Sequence, residues 1–430
     1  MKKIFSFLFL LTALVGVAQV PTPAGAQTKP ILITGATIHT GTGQVIENGA
    51  VAFENGKLTY VGATAPADRA KYDVINAQGK HVYPGFIMTN SILGLIEIES
   101  FRATADNTET GSLNPNVRSQ ISYSTDSEIT PTYRFNGILL AEITPQGGVI
   151  SGTSTVMQLD AWNWEDATYA KDAAVHLNWP SRLRGRFDFE TFTFVTEPNA
   201  DYSKTVDELT TFFNDAAGYS KLTPKIVNLK MDAMQGVLSG SQALVIHAST
   251  SKEIVEGVKF AQTYGVKRIA VVASSEALKV AGFLKDNNIP VIIPMVHDLP
   301  ARADEDVDLP YALPARLSKA GVTVVFSHND AIARGRNLPF YAGTAIAYGM
   351  DKEEALKAIT LNPAKILGID KTVGSLEVGK DATLFISDGD ALDFRSNKVS
   401  DAFINGRKTI LYNKQQILYD QYSKKYGHQK

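Results

Sequence analysis

Between Ala243 and Phe326 the chain contains four short apolar runs, ALVIH from Ala243, RIAVVA from Arg268, PVIIP from Pro290 and VTVVF from Val322. The first two are followed by amphipathic helical stretches, SKEIVEGVKFAQTYG and SEALKVAGFLKDNN, and the last leads into EEALKAITLNPAKILG. Strands that are apolar throughout, rather than alternately polar, are covered on both faces, the pattern of parallel strands between helices. A run of about 290 residues of this texture predicts a (β/α)8 TIM-like barrel rather than an open sheet.

The two ends of the chain read differently. Residues 31–62, ILITGATIHTGTGQVIENGAVAFENGKLTYVG, are β-rich and punctuated by Asn48-Gly49 and Asn55-Gly56, strong hairpin signals. The texture returns in GSLEVGKDATLFISDG from Gly374 and in DAFINGRKTILYN from Asp401, with an Asn405-Gly406 turn. Two such segments framing the chain pair into one module. The expected organisation is α/β: a composite β-sandwich from 28–83 and 373–412, a barrel over 84–372, and a polar, tyrosine-containing helical tail over 413–430. The stretch from Asn199 to Met234 is polar and helical and reads as an insertion.

Residues 1–26 carry Lys2 and Lys3, an apolar run from Ile4 to Ala18 and the small-residue site Ala24-Gly25-Ala26, which reads as a signal peptide cleaved after Ala26. The alternative is a membrane anchor. Cleavage takes the net charge from -2 to -4 and leaves no other stretch able to span a bilayer, so the mature protein is expected to be exported, periplasmic or secreted. Acidic and basic residues nearly balance, 44 against 42, which argues against nucleic acid and for a small molecule or peptide as ligand. The chain has no cysteine, which excludes disulfides, thiolate ligands and a cysteine nucleophile.

KHVYPGFIMTNSILGL at 80–95, GGVISGTSTVMQLDAWNWED at 147–166, VIHASTSKEI at 245–254, RNLPFYAGTAIAYGMDKEEALKAITLNPAKILGI and VGSLEVGKDATLFISDGD resemble, in order, the amidohydrolase superfamily, its imidazolonepropionase-like and prolidase-like members above all. The resemblance implies a barrel that holds a divalent metal, zinc first, at the C-terminal mouth and hydrolyses carbon–nitrogen bonds with metal-activated water. Its ligands would be a His-x-His pair on strand one and histidines ending strands five and six, with an aspartate ending strand eight to accept the proton of the metal-bound water. Here the His-x-His positions hold Asn90 and Ile92, with Met88 before them, and the strand-six position falls on Val272 or Ala273. His247 matches strand five and is the one candidate metal ligand. TVVFSHND puts either His328 or Asp330 at the strand-eight position. A standard binuclear site is not expected.

The candidate catalytic residues are therefore His247, Asp330 and His328, with Asn90 and His297 as candidates for substrate contact. Each has a plain alternative. His247 would bond within the core, Asp330 would cap the next helix, and His297 with Asp298 would be an ordinary polar loop pair. Glu97 and Glu99 read as solvated loop charges, Trp162 and Trp164 as packing, and His39, His81, His176 and His428 as structural or surface. Ser249-Thr250-Ser251-Lys252 contains Ser-x-x-Lys by chance, and no Walker loop or dinucleotide fingerprint implies a nucleotide cofactor. Two functions stay open: a hydrolase of cyclic amides or small peptides with a reduced or absent metal site, or a non-catalytic homologue that binds a small ligand or supports an intact partner subunit. A homodimer is the default assembly.

Overall fold

The computed structural model describes residues 22–428 except 191, 223–225 and 329–331. Most of the expected leader and all of Asp330 therefore lie outside the described residues. In chain order the strands are β1 (Ile31–His39), β2 (Val45–Glu54), β3 (Lys57–Gly62), β4 (Asp73–Asn76), β5 (His81–Pro84), β6 (Phe86–Ser91), β7 (Ile138–Ile143), β8 (Ile150–Gln158) and β9 (Thr168–Asn178). They continue with β10 (Leu183–Asp188), β11 (Thr193–Pro198), β12 (Ala243–His247), β13 (Ile269–Val272), β14 (Val291–Ile293), β15 (Val324–Phe326), β16 (Leu384–Ser387), β17 (Val399–Ile404) and β18 (Arg407–Thr409).

Strands from both ends of the chain form one sheet in the order β18-β17-β16-β5-β1-β2-β3, with β4 paired to β1. The Asn55-Gly56 and Asn405-Gly406 turns close its β2–β3 and β17–β18 hairpins with positive φ at all four residues. Asn48-Gly49 does not turn the chain. It lies inside β2, where Asn48 at φ 51° accompanies register shifts against β1, so the left-handed residue is absorbed as a bulge. One face of this sheet buries Ile33, Val51, Leu384 and Phe403, and the other packs Tyr83, Phe385 and Ile404 onto the barrel's own core.

The second sheet, β6-β7-β8-β9-β12-β13-β14-β15, curls until its edges meet through a Thr89–Ser327 bridge, giving a nearly closed eight-stranded barrel in a mixed α/β fold. It departs from the expected all-parallel barrel at one strand. β8 runs antiparallel to both β7 and β9. A parallel crossover needs a dozen or more residues, whereas only six separate β7 from β8. The chain therefore reverses at Gln146-Gly147-Gly148, with both glycines at positive φ. The insertion between strands four and five is a β10–β11 hairpin followed by helices Tyr202–Tyr219 and Leu229–Ser239.

Side chains on a strand alternate between its faces, so every second residue points into the barrel. Ile87, Leu140, Val156, Ala174, Val245, Ala270, Ile292 and Val325 form an apolar interior, packed from below by the helix Leu361–Leu367. The next inward positions toward the mouth are Thr89, Glu142, Ser154, His176, His247 and Ser327. The helix Leu338–Ala347 binds barrel to framing sheet closely: a Cβ on Gly343 would lie 2.0 Å from the Leu392 carbonyl oxygen. Gly343→Ala is expected to lower stability by about 3 kcal/mol, since backbone must give way on one side. Equal denaturation midpoints for variant and parent would contradict this packing.

Candidate active site

Glu142 is the single charged residue in ILLAEI and is fully buried. Burial opposes its charge, yet His176, the Asn90 N–H and the Ser154 hydroxyl hold its carboxyl below the usual carboxylate range. His176 Nε2 lies 3.0 Å and Ser154 Oγ 2.7 Å from Oε1, and the Asn90 N–H donates to Oε2 at 2.9 Å. His176, also fully buried, turns its other nitrogen to His247: Nδ1 and Nε2 are 3.0 Å apart. The β12–β9 register pairs Val245 with His176, so His247 stands one inward layer nearer the mouth, partly covered.

The contacts set a proton order when both imidazoles are neutral. An ionised Glu142 only accepts, so His176 donates from Nε2 and presents a lone pair at Nδ1. That lone pair takes the Nε2–H of His247 and leaves the His247 Nδ1 lone pair without a donor among the described residues. Burial of the His247 ring, reinforced by the neighbouring His176, pushes its pKa down to about 3 against a smaller opposing effect of Glu142. His247 is thus neutral in the folded protein and takes up a proton near pH 6.5 once unfolded. The unfolded state then binds more protons, so stability should fall as pH drops from 6.5 toward 3. Urea titrations of parent and His247→Asn between pH 4 and 7.5 check this; an equally steep loss in the variant would assign the effect elsewhere.

Asn90 enters differently from expectation. It adopts φ 50° within a register shift between Met88 and Ser91, and this turns its backbone N–H, rather than its side chain, onto Glu142. A non-glycine residue held left-handed is strained and marks a site the surroundings insist upon. Ile92 packs against the barrel core. With Asn90 and Ile92 at the His-x-His positions and both His176 nitrogens already engaged, the donors do not fit the family's metal. Among the described residues no group of three or more histidine or acidic side chains is arranged to hold an ion.

The other candidates lie apart. His328, buried beyond β15, has Nδ1 2.6 Å from the Tyr341 hydroxyl. His297 has Nε2 2.7 Å from Thr344 Oγ1, stands edge-on to Tyr341 and lines an 870 Å³ groove with Phe340, Asp390 and Phe394. That groove shares no lining residue with the Glu142–His176–His247 chain. Glu97 and Glu99 accept backbone N–H groups of Glu128 and Ile332, which makes them loop ties. Trp162 is exposed, while Trp164 packs on the core. His39 and His81 bond to each other at 3.1 Å, with Glu353 2.8 Å from His39, where the framing sheet meets the barrel. His176, expected to be structural or surface, is fully buried and joins Glu142 to His247, and Glu142 is a residue the sequence reading does not single out. Both carried a signal. His176 interrupts an apolar strand exactly as His247 does, and a lone carboxylate in an apolar strand demands buried partners.

Residues 299–409 match the model of the amidohydrolase family. The imidazolonepropionase of Flavobacterium psychrophilum is 31% identical over 110 residues, 24% of this chain and 27% of that protein. That of Syntrophobacter fumaroxidans is 40% identical over 82 residues, 18% and 19%. The chain thus matches about a quarter or less of these relatives' length. In fold it is similar to an amidohydrolase from Thermotoga maritima, with TM-score 0.75 and 22% identity over 89% of this chain and 100% of that one. A prolidase complexed with N-methylphosphonate-L-proline gives 0.53 and 15% over 88% and 99%. The C-terminal segment is thus similar to the amidohydrolase family, and the fold of the whole described chain is that of amidohydrolase structures. Glu142, His176 and His247 all fall outside the segment that the family model matches.

Proposed function

We propose that the chain is an exported hydrolase of carbon–nitrogen bonds, in cyclic amides or small peptides, that activates water with its own side chains. The observation that carries this reading is the buried Glu142–His176–His247 chain, which ends at the barrel mouth in a His247 Nδ1 that no other described residue engages. His247 Nδ1 takes the proton from water attacking the carbonyl carbon. The resulting imidazolium shares its charge through His176 with Glu142, which stays ionised, and the proton is then given to the leaving nitrogen. The imidazolonepropionase likeness and prolidase-like fold support the substrate class. The framing sheet is read as a small composite sandwich, and a homodimer as the assembly.

The replacement of His-x-His by Asn90 and Ile92 favours a second reading, a ligand-binding homologue that works alone or beside an intact partner subunit. Chelator-treated protein assayed on Xaa-Pro dipeptides and five-membered lactams separates the two. Turnover that His247→Ala abolishes supports the hydrolase. Turnover only after zinc or manganese loading replaces the side-chain mechanism with a metal one, and none under either condition favours ligand binding.

A further inference from the structure

The described chain begins against a tight pocket at the far end of the barrel from the mouth. There the backbone of Ala24 is held on both sides: its N–H donates to Asp160 Oδ2 at 3.0 Å, and its carbonyl accepts from Arg407 Nη1 at 3.0 Å. Asp160 is 3% exposed, and this is the single hydrogen bond its carboxylate accepts among the described residues. The nearest nitrogens of Arg134 and Arg407 are 3.8 and 3.6 Å away. Neither arginine donates a hydrogen bond to that carboxylate: Arg134 bonds to the Leu159 carbonyl, and Arg407 to the Ala24 and Asp160 carbonyls and the Gln158 side-chain oxygen. Pro23 is buried beside Tyr123, Pro131 and Leu159. Thr130 Oγ1 and Arg134 Nε in the same pocket already lack partners.

Cleavage after Ala26 would remove Pro23 and Ala24 from this pocket. It would leave a buried carboxylate without its donor, beside two polar atoms that are unsatisfied already, a costly arrangement. The sequence offers a second processing site. Gly16 and Ala18 satisfy the small-residue requirement directly at the end of the apolar run. We propose that the leader is removed after Ala18 and that residues 22–26 remain in the mature protein as a strap clamped by Asp160 and Arg407. This rests on the export reading above.

Intact-mass and N-terminal analysis of the full-length chain, expressed in a two-membrane bacterium and recovered from the periplasm, tests both. A mature protein beginning at Gln19 is the expected result. One beginning at Gln27 overturns the strap and keeps export; one retaining Met1 in the cytoplasm overturns export and the strap with it. A second measurement compares chains produced to begin at Gln19 and at Gln27. The shorter should melt several degrees lower, and Asp160→Asn should lower the midpoint of the longer chain more than that of the shorter. Equal midpoints and equal effects of the substitution would overturn the clamp.

Discussion

Glu142→Ala should cost about 3–5 kcal/mol, a large share of the roughly 5–15 kcal/mol that holds a typical domain folded. The reason is the number of donors it strands. His176 Nε2–H and the Asn90 N–H both end on this one carboxylate, and the Ser154 hydroxyl keeps only the Ala174 carbonyl without it, in a barrel interior whose lower layer offers only aliphatic carbon. Glu142→Gln keeps the shape and one acceptor oxygen but turns an amide N–H₂ toward donors, so it should recover part of the loss. Urea denaturation at pH 7.5 measures both. A cost below about 1 kcal/mol for the alanine variant would mean that Glu142 does not organise the network.

The second large effect concerns rate. If His247 is the base, His247→Ala should reduce kcat by at least about 100-fold with a smaller change in KM. The pH profile distinguishes chemistry from mere positioning. A free histidine would lose activity below pH 6.5, whereas His247, with its pKa near 3, should keep kcat/KM level well below pH 5 for as long as the protein stays folded. A fall centred near 6.5 would assign the base to another group. Glu142→Gln, which removes the carboxylate that raises the His247 pKa, should move the acid limb lower still and reduce kcat. An unchanged limb would break the link between the two residues.

Much of the fold was legible because it rests on local patterns. The apolar runs at 243, 268, 290 and 322 became β12 to β15, and two of three Asn-Gly pairs closed hairpins. The antiparallel β8 has no mark of this kind, since only the six-residue link before it, too short for a parallel crossover, signals its direction. In the site, His247 was found from its place at a strand end. His176 matches no ligand position of the family and is legible only from the inward alternation of its own strand. Glu142 needed the same alternation plus the cost of burying a charge. Asn90 could not have been read correctly from sequence, since its role comes from a backbone conformation that only the register shift against β7 imposes.

The reversed strand β8 also bears on how the chain finds its structure. β7, β8 and β9 form a meander whose pairings join residues close in sequence, while closing the barrel joins Thr89 to Ser327 across most of the chain. Loop-closure entropy makes the first contacts fast and the second slow. The meander should therefore serve as the folding nucleus, its amides gaining protection first in pulse-labelled hydrogen exchange and the β6–β15 seam last. Glu142, Ser154 and His176 sit one on each of its three strands, so the hydrogen bonds of the site would form before the barrel that encloses them.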